Sequence, residues 1–271
     1  MSTNLAHSSS SASFPVADFM RDVFAGSRGL AVFAILFAVG FVFCSALQIV
    51  DHRLLLGVSV WEKPAKFFFS LAVHLATVAW ALSLLGAELR NGRGVRWAVW
   101  LLIAAAVFEL SYIVFRATLG EASHFNTGTP LTAALYAMMG FGALTLTGTA
   151  GYVGYRIWRN RAGDLWREAT GFGLMLGAVL GTLTAGYMSS QTGHSVGGLA
   201  TDATGLPFFH WSTTGGDLRV SHFIGLHAMQ VLPLAALSGK RSVIYGTALI
   251  IAVFTVLTFM QAVMGMPLFR A

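Results

Sequence analysis

Charge is what this sequence has least of. Of 271 residues only 17 are Lys or Arg and 11 are Asp or Glu, 10% in all, where water-soluble domains devote about a quarter of theirs to charge. Hydrophobic residues make up 56% and mean hydropathy is +0.70, which excludes water as the main solvent of the folded chain. Cysteine is nearly absent: Cys44 stands alone, so no disulfide forms within the chain, and it reads as a small packing residue. Segments of about ten residues with alternating polarity, the mark of a membrane β-barrel, are missing. No basic stripe is present either. The net charge of +6 is scattered in short clusters between apolar runs, which argues against a nucleic-acid partner.

What is present is a series of apolar runs, each long enough to cross a ~30 Å hydrocarbon core at about 1.5 Å per residue. They predict an all-α, polytopic bundle of about seven spans near 29–50, 64–86, 96–117, 131–155, 168–189, 220–238 and 243–264. Residues 1–28 form an N-terminal segment, Ser-rich and unstructured over 1–13 and amphipathic over 14–26, as suits a helix at the membrane surface. Residues 29–271 form one domain with the lipid bilayer as its partner.

The basic residues Arg21, Arg28, Arg90, Arg93, Arg96, Arg156, Arg159, Arg161, Arg167, Lys240 and Arg241 all fall on one side of this arrangement. The positive-inside rule makes that side the cytoplasm and the expected location a bacterial inner membrane. The other side carries longer, polar loops, above all 190–219. Gly173, Gly177 and Gly181 recur every four residues and predict close helix packing.

Ionisable groups inside a span are expensive unless paired or hydrated, so each marks a candidate site. His74, Glu109 and His227 each fall about 10–15 Å below the outer surface and are expected to share one layer. At 100° per residue, Lys63, Ser70 and His74 form one stripe, and Glu109, Tyr112 and Arg116 another. Arg219 and Gln230 align on span six, with His222 and His227 on its flanks. The five-residue step between these histidines does not suit a same-face chelate unless a π-bulge near Gly225 intervenes. His124, Asp217 and Arg219 lie in or beside the outer loops.

The expected site is therefore an outward-opening pocket of spans two, three and six. Lys63, Glu109, Tyr112, Arg116, His124, Asp217, Arg219 and Gln230 bind a ligand or relay protons, and His74, His222 and His227 hold haem b or a divalent metal. Blander roles compete: Glu109 and Arg116 neutralising each other, Trp61, Lys63 and Lys66 as interfacial anchors, and His7, His52 and His194 in solvent.

The stretches Trp61-Glu-Lys-Pro-Ala-Lys-Phe67, Ser123-His-Phe-Asn126 and His210-Trp-Ser-Thr-Thr-Gly-Gly-Asp-Leu-Arg-Val-Ser-His-Phe-Ile-Gly-Leu-His-Ala-Met-Gln230 resemble a family of bacterial multi-spanning membrane proteins to which no activity is assigned. That resemblance implies that these positions matter as a set. Likeness to the seven-span ceramidase and progestin-receptor-like zinc hydrolases is weak, since span seven has no histidine. A retinal protein is excluded because that span has no lysine. His74 with His227 matches cytochrome b561-like haem proteins in expected geometry alone. Four functions stay open: a site for a small anionic ligand, haem or metal; a proton-coupled transporter; a zinc-dependent lipid hydrolase; and a structural or sensor protein.

Overall fold

The computed structural model describes residues 16–270. The expected unstructured stretch 1–13 and His7 lie outside the described residues. The chain is an all-helical bundle with seven helices long and apolar enough to cross a membrane. They are α2 (Arg28–Val50), α3 (Glu62–Ser83), α5 (Arg93–Thr118), α6 (Pro130–Arg159), α7 (Leu165–Ser189), the α8–α9 pair (Leu218–Leu226 and Ala228–Ala235) and α10 (Arg241–Val263). Two short helices, α1 (Val16–Gly26) and α4 (Ala87–Arg90), lie at the basic end.

Local chemistry sets the boundaries. Ser27 caps α2, Asp164 caps α7, and Thr129 with Thr132 closes a capping box ahead of Pro130 in α6, each satisfying N–H groups that a helix start leaves free. Pro64 falls in the first turn of α3, where no helical N–H is needed. Asp217 caps α8 by accepting from Arg219 N at 3.0 Å.

Burial separates inner helices from lipid-facing ones. Half of the apolar window of α3 and of α5 is buried, against 28% in α2, 22% in α10 and 17% in α6. The helices fall into two groups joined through α5 and α6. Helix α3 packs along α1, α2 and α5, and α7 packs along α6, α8 and α9, with α10 closing on α8. Contacts of α6 with α3 and α5 join the halves. The amphipathic α1 buries Val23 and docks its terminal Gly26 against the backbone of α3 at Ala79. Cys44 is buried and free.

The four-residue glycine repeat does what its spacing predicts. A Cβ on Gly173 would stand 2.7 Å from the Ala228 carbonyl oxygen, and one on Gly177 would stand 2.9 Å from that of Leu226. Backbones of α7 and of the α8–α9 pair thus meet almost directly. Span six carries a local irregularity: α8 ends at Leu226 and α9 begins at Ala228, with His227 in a turn between them and Pro233 inside α9, while His227 N still donates to the Phe223 carbonyl at 3.1 Å and Val231 N to that of His227 at 2.9 Å. The irregularity falls two residues beyond Gly225 and is a turn, not a π-bulge.

At the end away from the basic clusters the loops interlock. A hairpin of β1 (Leu54–Leu55) and β2 (Val58–Ser59) turns at Leu56 and Gly57, both at positive φ. The Leu56 carbonyl accepts from Asp202 N at 3.0 Å and from Thr201 Oγ1 at 2.9 Å. Strands β3 (Ser195–Val196) and β4 (Gly216–Asp217) pair antiparallel and bring both ends of the 190–217 loop together.

Candidate functional site

The first turn of α3 is the hub of this end. Glu62 pairs with Lys66 at 2.9 Å and with His210 Nε2 at 3.3 Å, while Lys66 Nζ donates to the Phe209 carbonyl at 3.3 Å. These contacts latch the loop tip onto the helix. Phe208 and His210 hold φ of +69° and +54° there, a conformation that costs about 1–3 kcal/mol for a side-chain-bearing residue and persists only where its surroundings impose it. Trp61, expected as an interfacial anchor, is instead buried, its indole N–H donating to Asp51 at 2.7 Å. The hydrogen bonds from Arg53 and from that indole hold the Asp51 carboxyl well below the usual carboxylate range.

Arg219 is not free to meet an anion. Its guanidinium bonds both oxygens of Asp217, with 2.7 Å the shortest contact, Asp202 at 3.0 Å and the His210 carbonyl. Asp217 is 3% exposed and also accepts from Ser212 N at 2.8 Å. Asp202 receives His194 Nε2 at 3.2 Å. Burial pushes the Asp202 carboxyl up, yet the His194 hydrogen bond and the Arg219 charge outweigh it and hold the group at about 2. His194 thus belongs to the clamp and not to solvent. Arg116 likewise serves structure: it pairs with Glu121 and donates to the Ala122 carbonyl at 3.4 Å, not to Glu109. The expected Glu109–Arg116 pair does not form, because loop 119–129 folds back over the end of α5 and supplies a nearer carboxylate.

Two ionisable groups lack such partners. Lys63 rests 5.9 Å from the centre of the Phe67 ring and forms no ion pair among the described residues. It lies within electrostatic reach of Glu109, Asp202, Arg219 and His124. Glu109 is 3% exposed, and its Oε1 has no hydrogen-bond partner. Gly142 of α6 makes its room, since a Cβ there would collide with that oxygen. Tyr112, one turn along α5, is also buried with an unpartnered hydroxyl, as is His210 Nδ1.

His124 completes the wall. Ser123 Oγ lies 3.1 Å from its Nδ1, and its ring packs 5.7 Å from Phe67 and 5.9 Å from Tyr136. Burial, with the nearby charges of Lys63 and His194, keeps this imidazole well below its ordinary pKa, so it stands neutral as donor and acceptor. Unmet buried polar atoms are rare because each costs about 1–3 kcal/mol. Of the four such atoms among the described residues, Glu109 Oε1 and the Tyr112 hydroxyl lie on α5, His210 Nδ1 in the outer loop and Thr170 Oγ1 on α7; Glu109 is walled by span four, where span six was expected.

The histidines divide differently from the sequence expectation. His74 Nε2 donates to the Leu146 carbonyl of α6 at 3.3 Å, one turn from Gly142. His222 Nδ1 lies 3.1 Å from both Thr184 Oγ1 and the Gly181 carbonyl on α7. His227 turns Nδ1 to its own helix, 2.7 Å from the Phe223 carbonyl, and stacks 3.9 Å from the Phe223 ring. His74 and His227 do stand at one level, each a turn from the Gln230 to Thr77 hydrogen bond of 3.1 Å that links α9 to α3. Their rings nevertheless serve separate carbonyls, and His222 and His227 share no partner. Among the described residues no three His, Cys, Asp or Glu side chains are grouped to hold a metal ion.

Glu62, Asp202 and His194 were not expected as site members, and His210 was expected only in the lid. The signal was their place in the same outer stretches as Lys63 and Arg219. Glu168, buried at the opposite end with Arg241 at 3.1 Å and Tyr245 at 2.8 Å, was also missed. No protein-family model matches the chain, nor does any curated protein or solved structure.

Proposed function

We propose that this membrane protein binds a small ligand bearing an anionic group in the chamber of Lys63, Glu109, Tyr112 and His124, beneath the loop 190–217. One observation carries the reading: the Glu109 carboxylate is buried with an oxygen that has no partner, and Lys63, whose charge reaches it, forms no ion pair among the described residues. An anion on the Lys63 ammonium, with a donor group of the ligand toward Glu109 Oε1 and Tyr112, would satisfy Lys63 and both orphans of α5 at once. Arg219 and Arg116 hold the lid and the rim and do not touch the ligand. Under the positive-inside rule the chamber opens away from the cytoplasm of a bacterial inner membrane. The shared level of His74 and His227 leaves haem as the other occupant to test, since both rings would have to leave their carbonyls to clasp it.

The test is thermal stabilisation of purified protein against a panel of small carboxylates, phosphates and sulfonates, read alongside a visible spectrum and metal analysis. At least one panel member should stabilise the wild type, and Lys63→Gln should remove that effect. A panel without effect on the wild type, or an undiminished response in Lys63→Gln, refutes the reading. A Soret band would assign the site to haem.

A second reading, proton-coupled transport, is favoured by the polar groups inside the bundle, where His74 bonds the Leu146 carbonyl and Gln230 bonds Thr77. Once a substrate is found, its uptake into proteoliposomes should respond to a pH gradient in the wild type and not in Glu109→Gln. Gradient-driven uptake that survives the change counts against coupling through Glu109.

A further inference from the structure

The basic end holds a second unexplained feature. A cavity of about 610 Å³ opens between α1, α2, α4 and α5, with Arg28, Arg90, Arg96 and Asn91 on its polar side and Val99, Trp100 and Ile103 on its apolar side. No acidic residue lines it. Most other arginines of this end are engaged: Arg161 and Arg241 by Glu168, Arg167 by Asp164, Arg156 by Tyr152 and Arg159 by Tyr155. Arg28, Arg90 and Arg96 have no hydrogen-bond or ion-pair partner among the described residues.

Backbone adds to the attraction. The N-terminus of α2, at Ser27, Arg28 and Gly29, lines this cavity, and Val95 and Arg96 from the first turn of α5 join it. The positive dipole end of α2 favours an anion in the same place as the three guanidiniums. Below the arginines the wall turns apolar toward the hydrocarbon, where Trp97 and Trp100 are each 65% exposed.

We infer that this cavity binds an anionic glycerophospholipid from the leaflet at the basic end, with its phosphate among Arg28, Arg90 and Arg96 and its acyl chains along Val99, Trp100 and Ile103. Three forked donors match a phosphodiester, and the apolar half gives the lipid an advantage over a free phosphate. Under the orientation proposed above, this leaflet is the anionic one. The inference does not depend on the chamber at the other end.

The test uses full-length, delipidated protein in detergent and native mass spectrometry, with dioleoylphosphatidylglycerol, dioleoylphosphatidylcholine and inorganic phosphate as probes. One phosphatidylglycerol should be retained at least tenfold more strongly than phosphatidylcholine, and phosphate alone should not compete at matched concentration. Arg28→Lys/Arg90→Lys/Arg96→Lys keeps the charge that sets topology, loses the forks and should weaken retention severalfold. Val99→Trp fills the apolar half, leaves every charge in place and should abolish preferential retention. Equal retention of the two lipids, full displacement by phosphate, or a Val99→Trp protein that retains lipid like the wild type would each overturn the site.

Discussion

Arg219→Gln separates a clamp from an ornament. The guanidinium joins Asp217, Asp202 and the His210 carbonyl across the 190–217 loop. Removing one member of a buried ion pair costs about 3–5 kcal/mol because the other charge is stranded. Two facts lower that figure here. The Arg219 side chain is 26% exposed, and Asp217 keeps the Ser212 and Arg219 backbone N–H groups while Asp202 keeps His194. The expected loss is therefore about 2–3 kcal/mol, or roughly 30- to 150-fold at 1.4 kcal/mol per decade. It should appear as local opening, read by amide hydrogen exchange in nanodiscs: protected amides near 195–217 should exchange faster by that factor while those of α3 and α5 do not change. Arg116→Gln is the internal comparison. Its partner Glu121 is half exposed and returns to water, so the change should cost only about 1 kcal/mol or less. Equal exchange in the two variants, or an Arg219→Gln protein whose loop stays as protected as the wild type, would refute the clamp.

Gly142→Ala should displace the Glu109 carboxylate and abolish ligand stabilisation with a small loss of thermal stability, because the obstructing atom ends a flexible side chain. Gly173→Ala meets backbone instead, at 2.7 Å from the Ala228 oxygen, and should destabilise the fold by about 1–3 kcal/mol in a reversible unfolding assay. The Asp202 carboxyl, lowered from 3.8 to about 2, contributes stability that is whole above pH 4 and lost as pH falls toward 2, so loop exchange should accelerate across that window in the wild type and not in Asp202→Asn. His124 acts in the same direction at higher pH: its folded-state pKa lies below the ordinary 6.5, so the unfolded chain takes up the proton first. Stability should drop as pH falls below 6.5, and His124→Gln should flatten that slope in thermal-unfolding curves.

The spans were legible because bilayer thickness imposes one length on every crossing. The fourth, read as 131–155, runs Pro130–Arg159, and the second, read from 64, starts at Glu62, where polar first-turn residues hid its beginning. The stripes were legible too: Glu109 and Tyr112 share a buried face as the 100° step requires. Hidden from the sequence was which neighbour each stripe faces. Glu109 looks at Gly142, and Arg116 finds Glu121, because helix order and loop folding are long-range facts that no local period encodes. His194 and Asp202 were obscured for the same reason. In the sequence they belong to a polar loop, and only the β3–β4 pairing brings them to Arg219.

The aromatic rings at the loop tip carry a further consequence. Phe209 stacks on Trp211 at 4.4 Å, both meet Phe223, and Phe223 lies against His227 at the turn in span six. The Phe209–Trp211 stack meets Phe223 edge-on, so an unbroken series of ring contacts joins the loop tip to the His227 side chain. Substitutions of Lys66 or Glu62 that release the tip are therefore expected to change the surroundings of the His227 imidazole.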